Sequence, residues 1–95
     1  MKLLKVIKSP KAGKKWRAIF KDDEREKHTD FGASGMDDYT KTHDKEQRER
    51  YRTRHKKDLE TKDPTKAGFL SYYLLWGEST SLQENISKYR SRFHL

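Results

Sequence analysis

Residues 67–77 read Ala67-Gly68-Phe69-Leu70-Ser71-Tyr72-Tyr73-Leu74-Leu75-Trp76-Gly77. The chain of 95 residues is 40% charged and only 31% hydrophobic, so this stretch holds a dense share of its apolar material. Phe69, Leu70, Tyr72, Tyr73, Leu74, Leu75 and Trp76 cover more than one face of a helix. A helix apolar over so wide an arc is either enclosed by its own fold or covered by a partner. The pattern predicts a helix over 64–76, with Asp63 as N-cap and Pro64 at the first helical position, closed by Gly77. Leu70, Tyr73 and Leu74 are expected to face the protein's own core. Tyr72, Leu75 and Trp76 are then left over as anchors for a partner, since aromatic residues dominate interface hot spots.

The segments on either side supply that core. After Gly77, Ser81-x-x-Glu84 has the form of a capping box, and Leu82, Ile86, Tyr89 and Phe93 recur at helical spacing. A helix over 81–93 follows, joined to its neighbour by a short turn and so packed antiparallel to it. Upstream, a helix is expected over 42–60, with Thr40 or Thr42 as N-cap and a narrow stripe of Gln47, Tyr51, His55 and Leu59. Its acids come early and its bases late, an order that suits the helix dipole. Between Lys15 and Phe20 the pattern alternates, with Trp16, Ala18 and Phe20 on one side. Turns at Lys11–Lys14 and Lys21–Arg25 would join this strand to outer strands, and Gly32–Gly35 reads as a loop. The predicted architecture is α+β: one domain over 1–95, with a small N-terminal antiparallel β-meander of two to three strands (15–32) followed by three α-helices. Residues 1–14 are expected to be a basic arm or an edge strand.

A chain this short has a small stability margin. It contains no cysteine, so neither a disulfide nor a thiolate zinc site is available to it. Oligomerisation or docking on a larger body is the expected source of extra stability. No run approaches the length of a membrane span. The start, MKLLKVIKSP, is interrupted by lysines and lacks the apolar core of a secretory leader.

The formal net charge is +8, which favours anionic partners. Eight Lys/Arg and no acid lie between Met1 and Lys21, while the fifteen acids elsewhere are offset by fifteen Lys/Arg. Lys2, Lys5, Lys8, Lys11 and Lys14 recur every third residue, a period that fits neither strand nor helix. Residues 43–57 carry seven Lys/Arg against three acids, so pairing within the helix cannot neutralise it. One reading places Lys14, Lys15, Arg17, Arg50, Arg54 and Lys57 on phosphates; the other pairs the helix arginines with Asp44, Glu46 and Glu49. His28-x-Asp30 and His43-Asp44 are the only pairs that suggest metal chemistry, and nothing in their spacing makes them meet. No P-loop, dinucleotide fingerprint or supported nucleophile motif is present. Neither a catalytic residue nor a cofactor is expected.

Lys15-Trp16-Arg17-Ala18-Ile19-Phe20, Phe31-Gly32 with Gly35, Asp38-Tyr39-Thr40 and His43-x-Asp-Lys form an ordered set. It continues through Arg50-Tyr51-x-x-Arg54-His55, Asp63-Pro64, Ala67-Gly68-Phe69-Leu70-Ser71, Leu74-Leu75-Trp76-Gly77, Ser81-Leu82, Ile86 and Phe93. In this order the chain resembles a family of short, basic, uncharacterised proteins of large nucleocytoplasmic DNA viruses of algae and amoebae. The resemblance implies a viral source and a shared fold, and no activity or cofactor. The expected function is that of a non-enzymatic virion component. It would be a minor capsid or inner-virion protein that cements larger shell subunits through its aromatic patch and basic surface. It would reside in the virion, or otherwise be soluble in the infected cell. The alternative is a basic nucleic-acid-binding protein that uses the N-terminal arm and helix 43–59.

Overall fold

The alternation along Lys15–Phe20 becomes the middle strand of a three-stranded antiparallel sheet. The computed structural model describes residues 1–95 and orders the strands β1 (Lys2–Lys8), β2 (Lys14–Asp22) and β3 (Arg25–Ala33). Phe20 stands opposite Leu3 on one side and Lys27 on the other; Trp16 stands opposite Lys8 and Phe31. Because side chains alternate along a strand, Leu3, Trp16, Ala18, Phe20 and Phe31 share the inner face. Leu3, Ala18, Phe20 and Phe31 are buried there. Residues 2–8 are thus an edge strand and not a free arm. The register shifts between Leu3 and Lys5, which makes Leu4 an extra residue. The shift lets Lys2 and Lys5, three apart in sequence, stand on the same outer face, opposite Lys21 and Ile19.

Four α-helices follow, where three were expected. His43 takes a left-handed backbone (φ 59°) and separates a short additional helix, α1 (Tyr39–Thr42), ahead of the expected segment 42–60, from α2 (Lys45–His55) within it. A 3₁₀ turn over Lys56–Thr61 continues α2. The N-caps are carboxylates instead of the threonines. Asp38 accepts from the Thr40 N–H, and Asp44 accepts from the N–H groups of Glu46 and Gln47. Asp63 does not begin a helix. Its carboxylate accepts from the Thr65 N–H at 2.9 Å and the Thr65 hydroxyl at 2.6 Å, which closes a turn on itself. α3 therefore starts at Ala67 and runs to Leu70. The chain then widens into a π turn over Ser71–Leu75, closed by the Trp76 N–H on the Ser71 carbonyl at 3.1 Å.

This continuous helix, 67–76, is enclosed over most of its surface, with Ala67, Gly68, Ser71 and Tyr73 half-buried. It packs against β3, against α4 (Leu82–Phe93), and against α2 through Trp76, which stacks on Tyr51 at 4.4 Å. Tyr72, Leu75 and Trp76 are only 7%, 2% and 6% exposed. The expectation that they are left over for a partner is corrected: the protein's own sheet and helices cover these three side chains. Gly77 also differs from the expected role. It has no left-handed backbone, and it is required for space: a Cβ there would lie 2.2 Å from the Tyr73 carbonyl oxygen.

The last helix has half of the expected capping box. The Ser81 hydroxyl accepts from the Glu84 N–H at 3.2 Å, but the Glu84 carboxylate turns to the Ser79 hydroxyl. Ile86 and Tyr89 are buried on its inner stripe, and so is Asn85. The Asn85 amide donates to the carbonyls of Leu74 (3.0 Å) and Ser79 (2.8 Å), and its oxygen accepts from the Ser79 N–H (3.1 Å). This side chain holds the turn between the last two helices with no polar atom left unpaired. Tyr89 donates its hydroxyl to the Pro64 carbonyl at 2.5 Å, and burial pushes the phenol pKa up. Arg90 donates to the carbonyls of Leu3 and Leu4, each at 3.0 Å, which ties α4 to the outermost strand. No helix is long and apolar enough to cross a membrane.

Gly77→Ala should cost about 3 kcal/mol or more, because its methyl group meets main chain that cannot move aside. At Gly35 (φ 80°) the space for a Cβ is open, so Gly35→Ala should cost only about 1–2 kcal/mol of backbone strain. Urea midpoints of the two variants, read at equal slope, check the order.

Candidate functional site

An open groove of about 630 Å³ runs between the Gly32–Asp38 segment and α2, and its floor is the central helix. Trp76, Tyr51 and His55 form a column of three rings beside it. Tyr51 lies 4.4 Å from Trp76 at 8° and 4.0 Å from His55 at 19°. The helical spacing of Tyr51 and His55 places both on the buried side of α2, where they follow one another over Trp76. His55 ends the column with 39% of its side chain exposed. The His55 Nδ1 donates to Asp58 at 3.0 Å; a carboxylate acceptor requires that this nitrogen carry the proton. Burial raises the Tyr51 phenol pKa, and the nearby Asp58 charge adds to the effect.

The charges around the groove are sorted. Of its carboxylates, Asp38 pairs with Lys15 at 2.7 Å, Asp37 with Lys41 at 3.8 Å, and Asp58 with His55. Lys14 and Arg54 also line the groove, and neither is in an ion pair. The groove therefore presents two unpaired cations, Lys14 and Arg54, an aromatic edge, and Asp58 in its hydrogen bond with His55.

The six cations singled out from the sequence fall into three groups. Lys14 and Arg54 are brought together at the groove. Arg50 and Lys57 are exposed on the outer side of α2 and of the turn that follows, again without a carboxylate partner. Lys15 and Arg17 are already engaged. Lys15 reaches the Met36 carbonyl as well as Asp38. Arg17 holds Asp30 with two hydrogen bonds, at 2.9 and 3.1 Å, on the outer face of the sheet. Their carboxylate partners are only 5% and 15% exposed, so these two are the least available of the six to an anion. The pairing of Arg50 and Arg54 with Glu46 and Glu49 does not form; Glu49 pairs with Arg48 instead.

Two residues of the site, His55 and Asp58, were not singled out from the sequence. His55 and Tyr51 had been assigned to the packing stripe, a correct placement that concealed the exposed end of the ring column. Asp58 carries no sequence signal, because its partnership with His55 depends on the 3₁₀ turn. The two His–Asp pairs remain apart: His28 lies against Glu26, and Asp30 belongs to Arg17. No three His, Cys, Asp or Glu side chains are grouped so as to hold a metal ion.

Residues 4–55 match the model of a family of unknown function, DUF5754. The chain belongs to that family. The matched segment takes in the sheet, α1 and α2, and stops before the helix that fills the core. The family segment thus supplies Lys14, Tyr51, Arg54 and His55, whereas Trp76 comes from beyond it. No curated protein and no solved structure matches the chain.

The ion pair on the outer face of the sheet fixes one pH response. The Arg17 guanidinium, aided by the Ser9 hydroxyl at 2.6 Å, holds the Asp30 carboxyl down at about 2. A carboxyl whose pKa is lower in the folded state stabilises the fold above its unfolded value of about 4, and that contribution is lost as the pH falls toward 2. Asp30→Asn should therefore be less stable than the parent at neutral pH, and the difference should shrink between about pH 4 and pH 2. Thermal melts of both proteins across that range provide the check.

Proposed function

We propose that the protein binds single-stranded nucleic acid along the groove and the outer face of α2. The observation that carries this reading is the sorting of charge. Asp37 and Asp38 at the groove are matched by lysines and Asp58 is hydrogen-bonded to His55, while Lys14, Arg50, Arg54 and Lys57 have no carboxylate partner. Phosphates lie against these cations, and an unpaired base extends the Trp76–Tyr51–His55 column by stacking on His55. Stacking on an aromatic platform is tolerant of sequence, because every base has a π-face. It also requires an unstacked base, which favours a single strand over a duplex. No chemistry on the strand is invoked.

The resemblance to short basic proteins of large DNA viruses gives such a strand a source in a viral genome or transcript. A virion protein that joins larger subunits would have to use a surface other than Tyr72, Leu75 and Trp76. The reading as a strand-binding protein uses residues that are accessible in the folded chain.

Fluorescence anisotropy with a labelled oligothymidylate, repeated over a salt series, tests the proposal. Four phosphate contacts should give a log–log slope of about −3, and Lys14→Gln or Arg54→Gln should each reduce it by roughly 0.7. His55→Ala should weaken binding by about 1–3 kcal/mol with the slope unchanged. Absence of binding at low salt, or a flat salt dependence, rules out phosphate binding as the function.

A further inference from the structure

We propose a second and smaller anion site on the opposite flank of α2, built to hold one phosphate group. Arg52 and Arg54 project about 160° apart around the helix, so Arg52 leaves the side away from the groove. There it lines a cavity of about 210 Å³ with Tyr73, Lys88 and Arg92. The cavity shares no residue with the groove and does not depend on the nucleic-acid reading.

Arg52 is held in place before any ligand arrives. Its guanidinium lies 4.1 Å over the Tyr72 ring, and its Nη1 donates to the carbonyls of Trp76 (2.7 Å) and Tyr72 (3.3 Å). That anchoring uses one nitrogen and leaves Nε and Nη2 with no acceptor in the protein. Arg92 lies 5.1 Å over the Tyr73 ring and is in no ion pair. Lys88 completes the group from one turn earlier on α4. It touches Glu84 at 3.3 Å and Glu78 at 3.6 Å, and both carboxylates are more than half exposed. Glu78 is the one acid on the cavity wall, and it reaches neither arginine.

Two guanidinium groups and an ammonium around a small cavity match an oxyanion with several acceptor oxygens. The planar arginine fork donates two parallel hydrogen bonds to a phosphate, and Lys88 supplies a point charge. Asn85 lines the same cavity but is fully engaged with the turn at Ser79, so it contributes shape alone. The rings of Tyr73 and Tyr89 give the cavity an apolar wall, which suits a phosphate carried on a small organic group.

Titration of the full chain with inorganic phosphate and with phenyl phosphate, at constant ionic strength, tests the assignment by NMR. The arginine Nε–H signals of Arg52 and Arg92 should shift and saturate. Arg92→Gln and Lys88→Gln alter exposed side chains, so the fold should persist, and each should weaken binding about tenfold. Glu78→Gln removes the opposing charge and should tighten binding about threefold. Arg54→Gln, in the groove, should leave phosphate affinity unchanged while it weakens the oligonucleotide, which separates the two sites. Tighter binding of phenyl phosphate assigns an organic phosphate ester; equal binding assigns the free ion. Shifts that never saturate, affinity unchanged in both the Arg92 and Lys88 variants, or weaker binding in Glu78→Gln would overturn the proposal.

Discussion

The fold depends on one short helix that is apolar over most of its circumference. Residues 67–76 lie between the sheet, α2 and α4, and only the narrow strip at Ala67, Gly68 and Ser71 opens to the groove. In a domain with few hydrophobic residues, that enclosure concentrates them where all the other elements can share them. Leu70, Leu74 and Leu75 are nearly inaccessible. Leu75 meets Gly32 so closely that a Cβ on this glycine would lie 2.8 Å from the leucine methyl group. The π turn belongs to the same constraint, since it changes the phase of the residues that follow and brings Trp76 against Tyr51.

The enclosure also explains why α2 can be so polar. None of its residues is fully buried. Arg48 and Arg52 reach over the end of the central helix and donate to the carbonyls of Gly77, Trp76 and Tyr72. Those carbonyls are ones that a helix end leaves unpaired, and positive charge is favourable there. A neighbouring helix thus performs the capping that a left-handed glycine would otherwise provide. The arginines of α2 are divided by this task. Arg48 serves the fold, Arg52 serves it through one nitrogen and turns its other two to the small cavity, and Arg50 and Arg54 on the other side are in no ion pair.

Local patterns carried much of the architecture. The alternation at Trp16, Ala18 and Phe20 is a strand with its inner face buried, and Leu82, Ile86, Tyr89 and Phe93 do form the inner stripe of α4. Long-range enclosure was not legible in the same way. The run at Phe69–Trp76 shows how wide the apolar arc is but not how many neighbours surround it, so three core residues passed for exposed ones. The break at His43 was hidden because a left-handed histidine has no distinct signature. Asn85 did have one: it falls on the apolar stripe between Leu82 and Ile86, where an unpaired amide would be costly. The groove is assembled from four separate segments, so its charge balance emerges only in the folded chain.

The bonds from Arg90 to the carbonyls of Leu3 and Leu4 join positions 87 and 86 residues apart. They occupy an edge where a foreign strand would otherwise add. They also give the domain an order of assembly. The β2–β3 hairpin needs only its own neighbours, whereas the outermost strand is fastened by a residue of α4, far along the chain. On the ribosome, a nascent chain therefore has an unfastened sheet edge until α4 has emerged.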